Sequence, residues 1–183
     1  MITPNQITSL RFMLTFVLCG LLLTANSPGG KWACLILFLI ASFTDFLDGF
    51  LARKKSLVSS VGKIIDPIAD KFLTLGVFFV FAQKGLFSFW WVIPIAIREI
   101  WVTGIRLVFL RRGVVIGAES LGKIKTVSQM LTLLVAFGVL LLPENAGSLM
   151  HNILSSVLFF CLVLSNVLTL LSGIQFFRKL PRD

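Results

Sequence analysis

Apolar residues run through this chain in six long stretches, Ile7–Ala25, Lys31–Asp48, Asp70–Gln83, Phe89–Leu110, Thr126–Leu142 and Ile153–Phe177. Each approaches the roughly 20 residues that a helix needs to cross a bilayer. The third is short by itself and reaches full length only if its helix begins near Ser60. None shows the strict alternation of a strand, and turn-forming clusters separate them: Asn26-Ser27-Pro28-Gly29-Gly30, Lys84-Gly85, Arg111-Arg112-Gly113 and Pro143 through Ser148. The pattern predicts an all-α bundle of six transmembrane helices forming a single domain over residues 1–183, with no internal repeat. At the start, Thr3 reads as an N-cap, Pro4 as the first helical residue and Gln6 as the closing member of a capping box, so a short interfacial turn precedes the first span. A signal peptide is the competing reading of that segment, with Arg11 before an apolar run ending in Leu23-Thr24-Ala25. The helix cap favours the span.

Composition agrees with a membrane solvent. Apolar residues make up 57% of the 183 and charged residues 14%, with 18 Phe and no Tyr. A soluble chain carries roughly a quarter charged residues, and this one would expose large apolar patches in water. The net charge of +9 would point to nucleic acid in a soluble protein, but here the basic residues track the loops between spans. With six spans and the N-terminus in the cytoplasm, twelve of the 17 Lys and Arg fall on the cytoplasmic side. Only Lys31 and Lys84 fall outside, and Lys71, Arg98 and Arg106 lie in or near spans. This positive-inside bias puts both termini in the cytoplasm. Cys19, Cys34 and Cys161 sit singly in apolar runs, and His151 is the lone histidine, so neither a disulfide framework nor a zinc site is supported.

Four of the eight acids crowd into one window: Asp45, Asp48, Asp66 and Asp70. The first two are three apart and the last two four apart, so each pair shares a helix face. One pair ends a span and the other begins the next, across a basic loop, so a helical hairpin converges all four at the cytoplasmic edge. Such carboxylates repel one another unless a counter-charge is present. Hard divalent cations with oxygen ligands supply it, Mg²⁺ or Mn²⁺ in preference to zinc. Two ions about 4 Å apart suit this ligand number and serve displacement at phosphorus. Helix-end aspartates making surface ion pairs with Arg53, Lys54, Lys55 and Lys63 are the plainer reading; the cost of acids at membrane depth argues against it. Gly49 and Gly62, with Ala52 and Ala69, either let a ligand approach the backbone or pack helices closely, and the adjoining acids favour the ligand. Arg53 offers a planar donor fork for phosphate oxygens.

The run Asp45-x-x-Asp48-Gly49-x-x-Ala52-Arg53-x8-Gly62-x-x-x-Asp66-x-x-x-Asp70 resembles, without departure, the signature of the CDP-alcohol phosphatidyltransferase family. That resemblance implies a six-span fold over the whole chain and two divalent cations held by Asp45, Asp48, Asp66 and Asp70. It also implies CDP-diacylglycerol contacts at Gly49, Ala52, Arg53 and Gly62, Asp70 as general base, direct displacement of CMP and a homodimer in a bacterial inner membrane. Pro4 to Arg11, Arg98-Glu99 and Gly122 to Gln129 are similar to the bacterial phosphatidylglycerophosphate synthases of that family, whose acceptor is sn-glycerol 3-phosphate. Cardiolipin synthases, or members with another acceptor, are the alternative. A cation or proton transporter is the rival of a different class, but the acids gather at one membrane edge instead of tracing a path across. An acceptor phosphate needs cations of its own. Arg106 and Lys125 are the first candidates, with Arg98, Arg112 and Lys123 beside them; Arg111, Arg112 and Lys123 also read as topology or lipid-headgroup contacts.

Overall fold

The computed structural model describes residues 4–54, 62–114, 120–143 and 147–180, with residues 4–10, 45–54 and 62–70 described as backbone. Six α-helices run in order: α1 (Pro4–Thr24), α2 (Pro28–Lys54), α3 (Gly62–Gln83), α4 (Val92–Arg111), α5 (Ser120–Leu141) and α6 (Ser148–Arg178), with a 3-10 turn at Phe89–Trp91 before α4. No strand occurs among the described residues. The expected all-α class holds, and α3 does begin near Ser60, at Gly62. The Thr3 cap lies outside the described residues, as do the basic loop 55–61 and Glu144.

The helices exceed the apolar stretches at their ends, because backbone hydrogen bonding continues where hydropathy stops. The expected breaker at residues 26–30 does separate α1 from α2, but only Asn26 and Ser27 of it lie in the break; Pro28-Gly29-Gly30 opens α2. Proline is preset for the first helical position, and the Ser27 hydroxyl accepts the Gly30 N–H at 3.2 Å. Likewise α5 starts at Ser120, six residues before the apolar run, which places Lys123 and Lys125 on a helix. Two more expected breakers act as such. Gly85 and Gly113 adopt φ of 79° and 78°, the left-handed conformation that glycine tolerates. After Gly85, the Leu86 N–H reaches the Phe81 carbonyl at 3.1 Å; after Gly113, the Val114 N–H reaches that of Phe109 at 3.0 Å. Both are Schellman endings, satisfying carbonyls that a helix end leaves open.

The chain forms two compact units, residues 1–80 and 81–183. In the first, α1 buries Arg11, Thr15, Leu18 and Leu22, α2 buries Cys34, Phe38 and Ala41, and α3 buries Leu73 and Val77, each at three- or four-residue spacing, with Phe78 buried beside Val77. The Phe12 and Phe72 rings lie 5.2 Å apart, and a Cβ on Gly76 would meet Cys19 Sγ at 3.0 Å and Thr15 Cγ2 at 3.6 Å. These contacts set α1 and α3 parallel. A three-residue connection turns α2 back against α1, so the C-terminal end of α2 and the N-terminal end of α3 lie at the same end of the unit.

In the second unit α6 is the central helix. Leu154 of α6 lies beside Gly138 of α5, while Thr132 bonds Ser165 and Gln129 bonds Thr169, an antiparallel register. Trp91 stacks edge-on with Phe159 at 5.5 Å, and Arg106 lies over Phe176, so α4 runs roughly parallel to α6. The polar residues face inward: α5 buries Lys125, Ser128, Gln129 and Thr132 along with Leu133, Ala136 and Phe137. Outward it shows Val127, Leu131 and Leu134, and α6 shows Phe159, Phe160 and Leu170. In water that arrangement would be inverted. In lipid it is favourable, because inward polar groups find partners and outward apolar ones meet acyl chains. Over their described residues, α5 and α6 are long and apolar enough to cross a membrane, and α1, α2 and α3 contribute shorter apolar stretches.

Candidate active site

Asp45, Asp48, Gly49, Ala52 and Arg53 all lie within α2, which continues unbroken to Lys54. Gly62, Asp66 and Asp70 lie within the opening turns of α3. The helical backbone therefore carries the intervals of three and four that put each aspartate pair on one helix face. The topology of the first unit brings these two helix ends to the same end of it. The side chains of residues 45–54 and 62–70 lie outside the described atoms. The donor set is all carboxylate, with no imidazole or thiolate in its sequence window, and that chemistry fits hard divalent cations. Pro67, the sixth residue of α3, lacks the N–H that would bond the carbonyl four residues back, which loosens the opening turns of the helix.

The expected acceptor residues all fall in the second unit: Arg106 and Arg112 at the closing turns of α4, Lys123 and Lys125 in the opening turns of α5, and Arg98 further back, in the second turn of α4. Lys123 and Arg112 are exposed, the latter in the C-cap position of α4. Arg106 is half-buried. Its guanidinium carbon lies 5.4 Å from the centre of the Phe176 ring, within cation–π range, and its Nε is buried with no hydrogen-bond partner among the described residues. Arg98 presses its stem against Gly173, where a Cβ would come within 3.5 Å of Arg98 Cγ. Arg98 and Arg106, eight apart on α4, thus both meet α6, as their spacing predicts.

Lys125 is not held out toward solvent. It is 2% exposed, as is Glu99, and its Nζ donates to Glu99 Oε1. Arg98 Nη1 faces Glu99 Oε2 at 3.6 Å, and Gln129 Nε2 lies 3.3 Å from both Glu99 Oε1 and Thr169 Oγ1. One carboxylate thereby connects α4 with α5, and Gln129 carries the connection to α6. Below it Thr132 Oγ1 and Ser165 Oγ lie 2.8 Å apart, and Ser165 donates to Ser128 at 3.2 Å. The sequence brought Glu99 into view only beside Arg98, as part of the resemblance, and gave it no role of its own. The signal that marks it is a carboxylate inside an apolar span, which needs a cationic neighbour. Ser128, Gln129 and Thr132 against Ser165, Thr169 and Ser172, spaced by threes and fours, were the matching signal for the seam.

A family model described as CDP-alcohol phosphatidyltransferase matches residues 1–171. The chain is 36% identical over 192 aligned positions to the CDP-diacylglycerol–glycerol-3-phosphate 3-phosphatidyltransferase of Bacillus subtilis, covering 96% of this chain and 93% of that one. Proteins of the same name from Rickettsia typhi and Rickettsia prowazekii are each 34% identical over 175 positions, covering 96% of this chain and 94% and 93% of theirs.

Proposed function

The chain belongs to the CDP-alcohol phosphatidyltransferase family, and from that premise we propose that it transfers a phosphatidyl group from CDP-diacylglycerol to sn-glycerol 3-phosphate, releasing CMP. The observation that carries this reading is the coincidence of two aspartate pairs, brought by α2 and α3 to one end of a helical unit, with relatives of that activity aligned over 96% of the chain. Asp45, Asp48, Asp66 and Asp70 would hold two divalent cations, Mg²⁺ or Mn²⁺, whose charge would offset that of the donor's pyrophosphate. Gly49, Ala52 and Gly62 leave room for the donor beside those carboxylates, and Arg53 offers its fork to phosphate oxygens. Asp70 takes the proton of the glycerol hydroxyl as that oxygen attacks the lipid-bearing phosphorus in line with the departing CMP oxygen. Positioning and charge neutralisation are the main sources of rate in such a transfer.

We read all six helices as spans, with both termini cytoplasmic and the aspartate end opening to cytoplasm and lipid. The positive-inside bias supports this. A cysteine placed between Lys54 and Ser60 should resist a membrane-impermeant thiol reagent added to intact cells, and one near Asn145 should react. The opposite pattern would place the donor site outside, away from cytoplasmic glycerol 3-phosphate.

The acceptor's phosphate is assigned to the basic residues of the second unit, with Arg106 and Lys125 foremost and Arg98, Arg112 and Lys123 beside them. The unmet Nε of Arg106 supports this, because a buried charged donor without an acceptor is costly and an incoming phosphate oxygen would satisfy it. Purified protein should release CMP from CDP-diacylglycerol with glycerol 3-phosphate, and not with phosphatidylglycerol, inositol 1-phosphate or serine. Arg106→Ala should raise KM for glycerol 3-phosphate about ten- to a hundredfold, the loss of a charged hydrogen bond worth on the order of 1.5–3 kcal/mol. KM for CDP-diacylglycerol should stay near wild type. Equal losses toward both substrates would remove the assignment.

A further inference from the structure

We propose that Glu99 is a positioning residue for acceptor recognition: its carboxylate fixes Lys125 and Arg98 in the orientation in which they meet the acceptor's phosphate. This rests on the acceptor reading given above. The two oxygens divide the work, Oε1 taking Lys125 Nζ and Oε2 facing Arg98 Nη1. Gln129 braces Oε1 at 3.3 Å and is itself tied to Thr169 of α6, so Glu99 is held from two further helices.

Three considerations favour positioning over simple cohesion. Apolar packing joins helices at least as well as a buried ion pair does, and the same helices already use it at Ile95, Leu133 and Phe137. A carboxylate beside an anion site repels the anion unless it is committed to the cations that bind it, and both oxygens of Glu99 are so committed. Finally, Arg106 meets α6 at Phe176, three residues from Gly173 where Arg98 lies. The cation held by Glu99 and the guanidinium with the unmet donor therefore share one stretch of one helix.

The test shortens the side chain without removing its charge. Glu99→Asp draws the carboxylate back by about 1.5 Å, one carbon–carbon bond. It still neutralises the buried cations, so thermal unfolding in detergent should stay close to wild type. Misplacement of this order at a binding group can cost up to about a hundredfold, and we expect KM for glycerol 3-phosphate to rise about tenfold. KM for CDP-diacylglycerol should be unchanged and kcat altered by less than about twofold. Glu99→Gln, which keeps shape and loses charge, should show the larger rise in acceptor KM together with a lower unfolding temperature. A folded Glu99→Asp with wild-type KM for glycerol 3-phosphate, or with equal losses for both substrates, would overturn the positioning role while leaving the acceptor reading intact. Wild-type protein that releases CMP only with another acceptor would overturn both.

Discussion

Asp70→Asn should lower turnover by about a hundred- to ten-thousandfold, the usual contribution of a positioned general base. The substitution preserves volume and one hydrogen-bonding oxygen, but it removes the proton acceptor and one of four negative charges on the donor side. Asp70 lies in α3, one turn after Asp66 on the same face. Replacing Asp66 by Asn should therefore act differently: it removes a charge from the same cluster while leaving the base in place. Its main effect should be a higher Mg²⁺ or Mn²⁺ concentration for half-maximal activity. CMP release by purified protein, titrated with metal, measures both. Near-normal turnover in Asp70→Asn would place the base elsewhere, and an unaltered metal requirement in both variants would separate these aspartates from metal binding.

The second large effect is on stability. Lys125→Met should destabilise the protein by up to about 3–5 kcal/mol, the cost of breaking a buried ion pair, with Arg98 Nη1 at 3.6 Å still facing the carboxylate. Glu99 is 2% exposed, so water does not replace the lost ammonium at that carboxylate. For a chain of this size the unfolding midpoint in detergent should fall by roughly 6–20 °C. Glu99→Leu combined with Lys125→Met should recover most of the loss, because a pair of apolar residues packs where the pair of charges stood. The double variant should not recover affinity for glycerol 3-phosphate. Stability restored without acceptor affinity would separate what the pair does for the fold from what Lys125 does for the substrate. If Lys125→Met unfolds at the wild-type temperature, the ion pair is not the tie between α4 and α5 that the geometry indicates.

The aspartate cluster was legible in the sequence because its information is local. Intervals of three and four within single helices need no tertiary contact to be read, and α2 and α3 carry Asp45 to Asp70 as those intervals require. The breakers were legible as the places where helices part; which of their residues would join the helix that follows was not. Gly85 and Gly113 end helices through their positive φ, whereas Pro28 begins one, a difference that depends on the Ser27 hydroxyl on its N-terminal side. The ends of α5 and α6 were misjudged because hydropathy reports the solvent around a helix and not the hydrogen bonds within it.

By itself, then, the sequence determined the solvent, the helical class and the carboxylate set. The first two follow from composition and run length, and the third from spacing along one chain. It also offered a set of cations without saying what each would meet. Only the tertiary structure decided that Lys125 and Arg98 share the carboxylate of Glu99, that Arg106 lies over Phe176, and that Ser128, Gln129 and Thr132 face Ser165 and Thr169. Apart from the adjacent Arg98 and Glu99, the physical reason is that these partners stand 26 to 70 residues apart. In an apolar medium a polar side chain must find its partner on another helix, and which one it finds is fixed by the register and crossing of helices that no single stretch of the chain contains.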